Sequence, residues 1–218
     1  GRRWLQALTT TIFVVALGII AAIRAATPAS GRSAGDAPGY TTESVVQDLT
    51  SPTSFAFGPD GRIYIAEKSG LVRVAVSGTL QAAPFIDLRD EVNDVFDRGL
   101  LAIELHPTFP DPPYVYLLHT YDPPDTPLNG RGARVSRLLR VEADRTNLSV
   151  AASESASRTI ILGAAGTISA IPDILRSNLI GFPTCVMSGT PIQDCVPADG
   201  QTHSIGGLAF GLDHSLYV

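Results

Sequence analysis

The sequence predicts an all-β protein of the β-propeller type, and three observations carry that expectation. Twenty Gly and 16 Pro punctuate short Val/Ile/Leu/Tyr runs along 218 residues, a rhythm that suits many short strands and tight turns better than long helices. The stretch Phe57-Gly58-Pro59-Asp60-Gly61-Arg62-Ile63-Tyr64-Ile65 has the same pattern as residues 210–218, so a unit repeats. A further start of that unit, Gly99-Leu100-Leu101-Ala102-Ile103-Glu104-Leu105-His106-Pro107, puts Pro107 48 positions after Pro59, about the length of one propeller blade.

Within the first unit, residues 54–57, 62–66, 71–76 and 83–88 are short apolar or alternating runs separated by GPDG, KSG and SGT. Each separator is a tight-turn signal, so the four runs read as a meander of hairpin-linked strands. The second unit supplies strands at 99–105, 114–118, 134–141 and 158–162. A third begins at Ser204, where Leu212, aligned on Pro59, lies 105 positions beyond Pro107. Since the second unit already has its outer strands, the extra length is expected as an insertion at residues 164–202. Two blades and the start of another do not close a ring, which takes at least ~4 blades. The sequence therefore reads as an N-terminal fragment of a longer propeller, with further blades expected after Val218.

A composition of 44% hydrophobic and 17% charged residues is that of a globular protein. Sixteen Lys plus Arg against 21 Asp plus Glu give a formal charge of -5, which leaves no broad cationic field for a phosphate backbone and argues against nucleic acid as a partner. At the N-terminus, Arg2 and Arg3 precede an unbroken apolar run at residues 12–23, followed by Ala25 and Ala26. That order is the pattern of a secretory signal, with an uncleaved membrane anchor as the alternative; either way the remainder is expected outside the cytoplasm. Residues 26–44 are rich in Ala, Gly, Pro, Ser and Thr without apolar period and read as a flexible linker, leaving 45–218 as the folded domain. In an oxidising compartment the only two cysteines, Cys185 and Cys195, read as a disulfide rather than a metal site, which would want more ligands nearby.

Leu49-Thr50-Ser51-Pro52 leading into AFGPDGRIYIAEKSGLVRV, then DRGLLAIELHPTF with YVYLLHT, then THSIGGLAFGLDHSLYV occur in an order and spacing that resembles the glucose/sorbosone dehydrogenase family. These are soluble or periplasmic aldose sugar dehydrogenases that use pyrroloquinoline quinone (PQQ) on a six-bladed propeller, and the resemblance spans residues 45–142 and 202–218. It implies an oxidoreductase acting on sugars, with PQQ and Ca²⁺ as cofactors and a separate electron acceptor. Carried over by motif, the catalytic base is the histidine before the Gly-Gly strand, His203. Asp97, two positions before Gly-Leu-Leu, falls beside the substrate site. The family's main quinone and calcium contacts are expected beyond Val218, so no cofactor or metal ligand is assigned within the chain. Ala102 stands where the family usually has Gly, Leu212 and His214 replace the usual Pro and Gly of the turn, and Thr202 takes a position where some members have Asp.

The chemistry suits those residues. Oxidising a sugar hydroxyl needs a base for its proton as hydride leaves, and imidazole, with a pKa near ~6.5, titrates in the right range. A neighbouring carboxylate can orient the imidazole or bind a sugar hydroxyl. By contrast, His106 in Leu-His-Pro reads as a turn former, His119 as a strand end and His214 as a hairpin residue. Glu67 and Lys68 read as a solvated ion pair at a strand end. The proline-rich run at residues 122–127 lacks the ligand spacing of a calcium loop. A non-catalytic propeller binding a protein or glycan on its face is the alternative, since fold alone does not decide function.

Overall fold

The computed structural model describes residues 41–123, 128–153, 157–164, 185–187, 190–191, 193–198 and 200–218. The residues expected to form the signal or anchor, and most of the linker, lie outside that set. Contacts gather Ser44–Val218 into one compact unit. Among the described residues there is no α-helix, and every strand pairing is antiparallel.

The first sheet runs in sequence order through β1 (Pro52–Phe57), β2 (Ile63–Glu67), β3 (Leu71–Val76) and β4 (Thr79–Leu80), with β5 (Ile86–Asp87) also on β3. The expected single strand at 83–88 is thus replaced by two short pieces on the same partner. Gln81 N–H bonds Val74 O at 2.8 Å and Phe85 N–H bonds Val72 O at 2.7 Å. Between them lies Pro84, which has no N–H to give the ladder, and the chain bows out there.

The second sheet is built from β6 (Leu100–Leu105), β7 (Tyr114–Tyr121), β8 (Arg134–Glu142) and β9 (Arg158–Leu162). The segment at 164–202 contributes a small hairpin, β10 (Val186–Met187) with β11 (Thr190–Pro191), and β12 (Val196–Ala198), which adds to β8 opposite Arg134–Ser136. Cys185 and Cys195 are joined as a disulfide with Cα atoms 5.4 Å apart, closing that hairpin. A last hairpin, β13 (Ala209–Phe210) with β14 (Leu216–Tyr217), opens the third unit.

The repeat is visible in the register. In β1 the ladder slips between Pro52 and Ser54, leaving Thr53 bulged; in β6 it slips between Leu100 and Ala102, leaving Leu101 bulged. These positions are equivalent in the 48-residue repeat. The Thr53 hydroxyl uses the bulge to cross between sheets, donating to Leu100 O at 2.6 Å and lying 3.2 Å from Ala66 O. Ile103 N–H reaches Ser54 Oγ at 3.4 Å. The innermost strands of the two sheets therefore lie side by side without pairing their backbones.

Alternation puts opposite faces of the sheets into successive cores. Val72, Val74, Tyr64, Leu100, Ile103, Val115, Leu117, Leu139 and Val141 share the layer between the first and second sheets. The other face of the second sheet, through Ala102, Tyr116, Leu118 and Leu138, packs Ile205, Leu208, Phe210 and Leu216 of the third unit. Phe210 meets Tyr116 edge-on with centroids 5.3 Å apart and His106 at 5.8 Å. Three successive units stacked face to face, each starting with its inner strand, are sectors of a propeller.

Tertiary contacts also revise several local expectations. Glu67 is buried and accepts Thr50 N–H at 2.7 Å, while Lys68 donates to Asp94 O, so the two are not a solvated ion pair. His119 does not end its strand; β7 continues to Tyr121, and the imidazole is fully buried. His106 does shape its turn, with Nδ1 accepting Thr108 N–H at 3.3 Å.

Candidate functional site

Asp97 and His203 meet where the loop entering β6 touches the segment entering β13. Asp97 N–H donates to Gln201 O at 3.0 Å, and His203 N–H donates to Asp97 Oδ2 at 3.2 Å. Residues 106 apart in sequence are thus brought into contact. The contact runs through the His203 backbone rather than its ring, and both residues are solvent-exposed. His203 has φ of 58°, the left-handed region, which turns its side chain out of the line an extended strand would give it.

Beneath this exposed pair sits a residue that motif reading passed over. Arg98, next to Asp97, has no exposed surface, and its guanidinium donates to backbone carbonyl oxygens of three different residues, with Asn93 Oδ1 a more distant acceptor at 3.5 Å. Nε donates to Gly200 O at 3.0 Å, Nη2 to Ala198 O at 2.6 Å and Nη1 to Gly132 O at 2.8 Å. The planar fork of arginine suits it to tie several backbone acceptors at once. Arg98 thereby fastens Ala198 and Gly200 to the second sheet, and with them the His203–Asp97 contact. A hydrophobicity pattern cannot reveal such a role, because a single Arg before Gly-Leu-Leu reads as a surface residue.

A second buried polar cluster braces the same end of the sheet. Asp122 accepts Arg134 Nε at 2.7 Å, with both side chains 1% exposed, and also Asn93 Nδ2 at 3.2 Å and Asn129 N–H at 2.5 Å. Asn93 Nδ2 lies 2.9 Å from Gly130 O as well. The run at 122–127 thus begins with a structural carboxylate; residues 124–127 lie outside the described set. Buried charge of this kind is tolerated because each member has several partners.

Gly99 explains how closely the blades meet here. Leu100 N–H bonds Lys68 O at 3.0 Å, and a Cβ built on Gly99 would stand 2.8 Å from that same oxygen and 2.7 Å from Lys68 Cγ, at φ of 153°. Only glycine fits. The sequence triplet Gly-Leu-Leu therefore marks the point where the second inner strand passes against the end of the first sheet's second strand.

At the mouth beside Asp97, the exposed Phe96 ring carries the Arg131 guanidinium 5.2 Å from its centroid, and Arg131 O accepts Gln201 Nε2 at 2.9 Å. Among the described residues no group of three His, Cys, Asp or Glu side chains converges as a metal site would require. One exposed guanidinium is also a poor match for a tricarboxylic quinone. The described residues therefore do not compose a cradle for Ca²⁺ or PQQ.

Two antiparallel meander sheets and the hairpin of a third unit stacked on one another, with polar loops gathered at one end of the inner strands, define a β-propeller with its candidate site on the face where those inner strands begin. Residues 49–159 match the sequence profile of the family described as Glucose / Sorbosone dehydrogenase, and the chain belongs to that family. No curated protein matches it. Similar solved structures include an oxidoreductase from Thermus thermophilus described as a glucose dehydrogenase, at 26% identity and a TM-score of 0.46. That alignment covers 81% of this chain and 39% of the other. A protein described as glucose dehydrogenase follows at 18% identity and a TM-score of 0.48, covering 77% and 37%. The PQQ-bound aldose sugar dehydrogenase of Streptomyces coelicolor matches at 20% identity and a TM-score of 0.40, covering 56% and 34%. The chain thus spans well under half the length of these structures.

Proposed function

We propose that the protein is an exported oxidoreductase of aldose sugars, oxidising the anomeric or primary hydroxyl with His203 as general base and PQQ as the hydride acceptor. The observation that carries this reading is the meeting of Asp97 and His203 on the segments that lead into β6 and β13, in a chain of a family named for sugar dehydrogenation. That PQQ would accept the hydride comes from the family resemblance alone, and no binding contact to PQQ or Ca²⁺ is assigned to the described residues.

The chain's own residues divide the work as follows. His203, exposed at the mouth, takes the substrate hydroxyl proton on a ring nitrogen. Asp97 fixes the backbone at His203 through Oδ2 and presents Oδ1 to a neighbouring sugar hydroxyl, which aligns the reacting carbon. Arg98 holds both from below and touches neither substrate nor proton.

The test is dye-linked oxidation of a panel of aldoses after adding PQQ and Ca²⁺, with His203→Gln and Asp97→Asn alongside. Loss of ~10²-fold or more in kcat for H203Q supports the assignment. An absence of turnover with every sugar, together with an unchanged PQQ spectrum, would return the protein to the reading of a non-catalytic propeller that binds a protein or glycan. Export rests on the N-terminal sequence pattern, and fractionation of expressing cells with N-terminal sequencing of the mature chain checks it.

A further inference from the structure

The two inner hairpins are equivalent in register, yet they treat one buried polar position differently. Glu67 faces Pro52 in the first sheet and His119 faces Leu100 in the second. Glu67 is satisfied by Thr50 N–H. The equivalent donor in the second unit, Arg98 N–H, instead bonds Val95 O at 3.1 Å, and the His119 imidazole finds no hydrogen-bond partner on either nitrogen among the described residues. Directly across the ladder, Arg137 is also buried; its Nε reaches Gly163 O at 3.3 Å and its guanidinium lies over the Tyr121 ring, but among the described residues Nη2 has no hydrogen-bond partner. Buried orphan groups of this kind are rare in native proteins and call for an ion or water.

Both residues line one cleft of about 270 Å³, together with Glu91, Leu139, Arg158 and Ile160. Glu91 and Arg158 form an ion pair across it, each about a quarter exposed. Desolvation and the neighbouring Arg137 charge hold His119 neutral, with its pKa lowered to about 3. The lining therefore carries two guanidinium charges against one carboxylate, and an imidazole able to present an N–H.

We propose that this cleft is a binding site for a small oxyanion, seated between Arg137, Arg158 and the His119 N–H, with the Glu91 carboxylate acting as the built-in competitor that the ligand displaces from Arg158. Guanidinium forks favour two-oxygen anions. Neither Asp97 nor His203 lines this cleft, and the proposal does not rest on sugar oxidation.

The test uses inorganic phosphate, sulfate and acetate as probes, against chloride at matched ionic strength. Thermal unfolding and calorimetric titration read binding, and imidazole proton–carbon spectra read which of the four histidines responds. The expected result is a saturable rise in Tm with phosphate or acetate but not chloride, with shifts confined to His119. A preference for phosphate and sulfate identifies a tetrahedral ligand, and a preference for acetate a carboxylate. Glu91→Gln tightens binding by about tenfold by removing the competing charge, and Arg158→Gln, on a partly exposed outer strand, weakens it by about tenfold or more. Phosphate and acetate no more stabilising than chloride, shifts at His203 rather than His119, or unchanged affinity in both variants would overturn the proposal.

Discussion

Replacing Arg98 by Ala tests how the exposed pair at the mouth is held. The substitution strips a donor from the carbonyl oxygens of Gly132, Ala198 and Gly200, which Arg98 reaches at 2.8, 2.6 and 3.0 Å. Each buried acceptor left without a donor costs ~1–3 kcal/mol, and water entering the emptied space recovers part of it, so the net loss is about 3–5 kcal/mol. That is a large share of a domain stability of ~5–15 kcal/mol. The damage should be local first, because β12 pairs with β8 over only three residues. Hydrogen exchange is therefore the informative assay: the amides of Asp97 and His203, which depend on Gln201 O and Asp97 Oδ2, should lose protection well before those of β7 and β8. Arg98→Lys, with one ammonium for three separated acceptors, should fall between wild type and Ala. If Arg98→Ala unfolds in denaturant within ~0.5 kcal/mol of wild type and leaves exchange at Asp97 and His203 unchanged, the His203–Asp97 contact is held by something else, and the reasoning fails.

Further expectations follow from burial and geometry. His119 has a folded pKa of about 3 against an unfolded value near ~6.5, so its contribution is fully present above ~6.5 and fades as pH falls toward 3, by about 1.4 kcal/mol per pH unit. A His119→Leu variant should flatten that part of the acid-stability curve measured by denaturant midpoints, and an unaltered slope would refute the assignment. Burial pushes Tyr64 up to about 12, and its hydroxyl donates to Leu148 O at 2.7 Å. Its stabilising effect is present below ~10 and is lost as pH rises from there toward 12, so ultraviolet titration should show late tyrosine ionisation together with unfolding that Tyr64→Phe reduces. Gly99→Ala places a methyl against Lys68 O and should cost ~2–3 kcal/mol in stability, read as a lowered thermal midpoint. Reducing the Cys185–Cys195 disulfide, which closes a span of 10 residues, should cost about 2–3 kcal/mol locally and expose residues 190–198 to protease.

Much of the architecture was legible as one-dimensional pattern. Alternating apolar residues bounded by Gly, Pro and Asp specify short strands and tight turns wherever they occur, and a 48-residue spacing specifies that the units repeat; strand positions in both sheets follow to within a few residues. Pro84 was the exception that pattern could have flagged, since the missing N–H splits the fourth strand. The pairing of Cys185 with Cys195 needed only their isolation and spacing. The motif before Gly-Gly and the one before Gly-Leu-Leu singled out His203 and Asp97, but their contact, through a backbone N–H rather than the imidazole, belongs to the three-dimensional arrangement.

Burial of polar side chains was what only tertiary structure decided. Glu67 read in sequence as half of a solvated ion pair and His119 as a strand end, and nothing in the local pattern around Arg98, Asp122 or Arg134 signals burial, because charge alone predicts exposure. Each is buried because loops from distant segments close over the ends of the inner strands and supply, or in the case of His119 withhold, a partner. Local pattern fixes which backbone groups pair within a hairpin. Whether a charged side chain finds acceptors from residues tens of positions away depends on how the sheets stack, and that information is carried by the assembled packing rather than by any stretch of sequence.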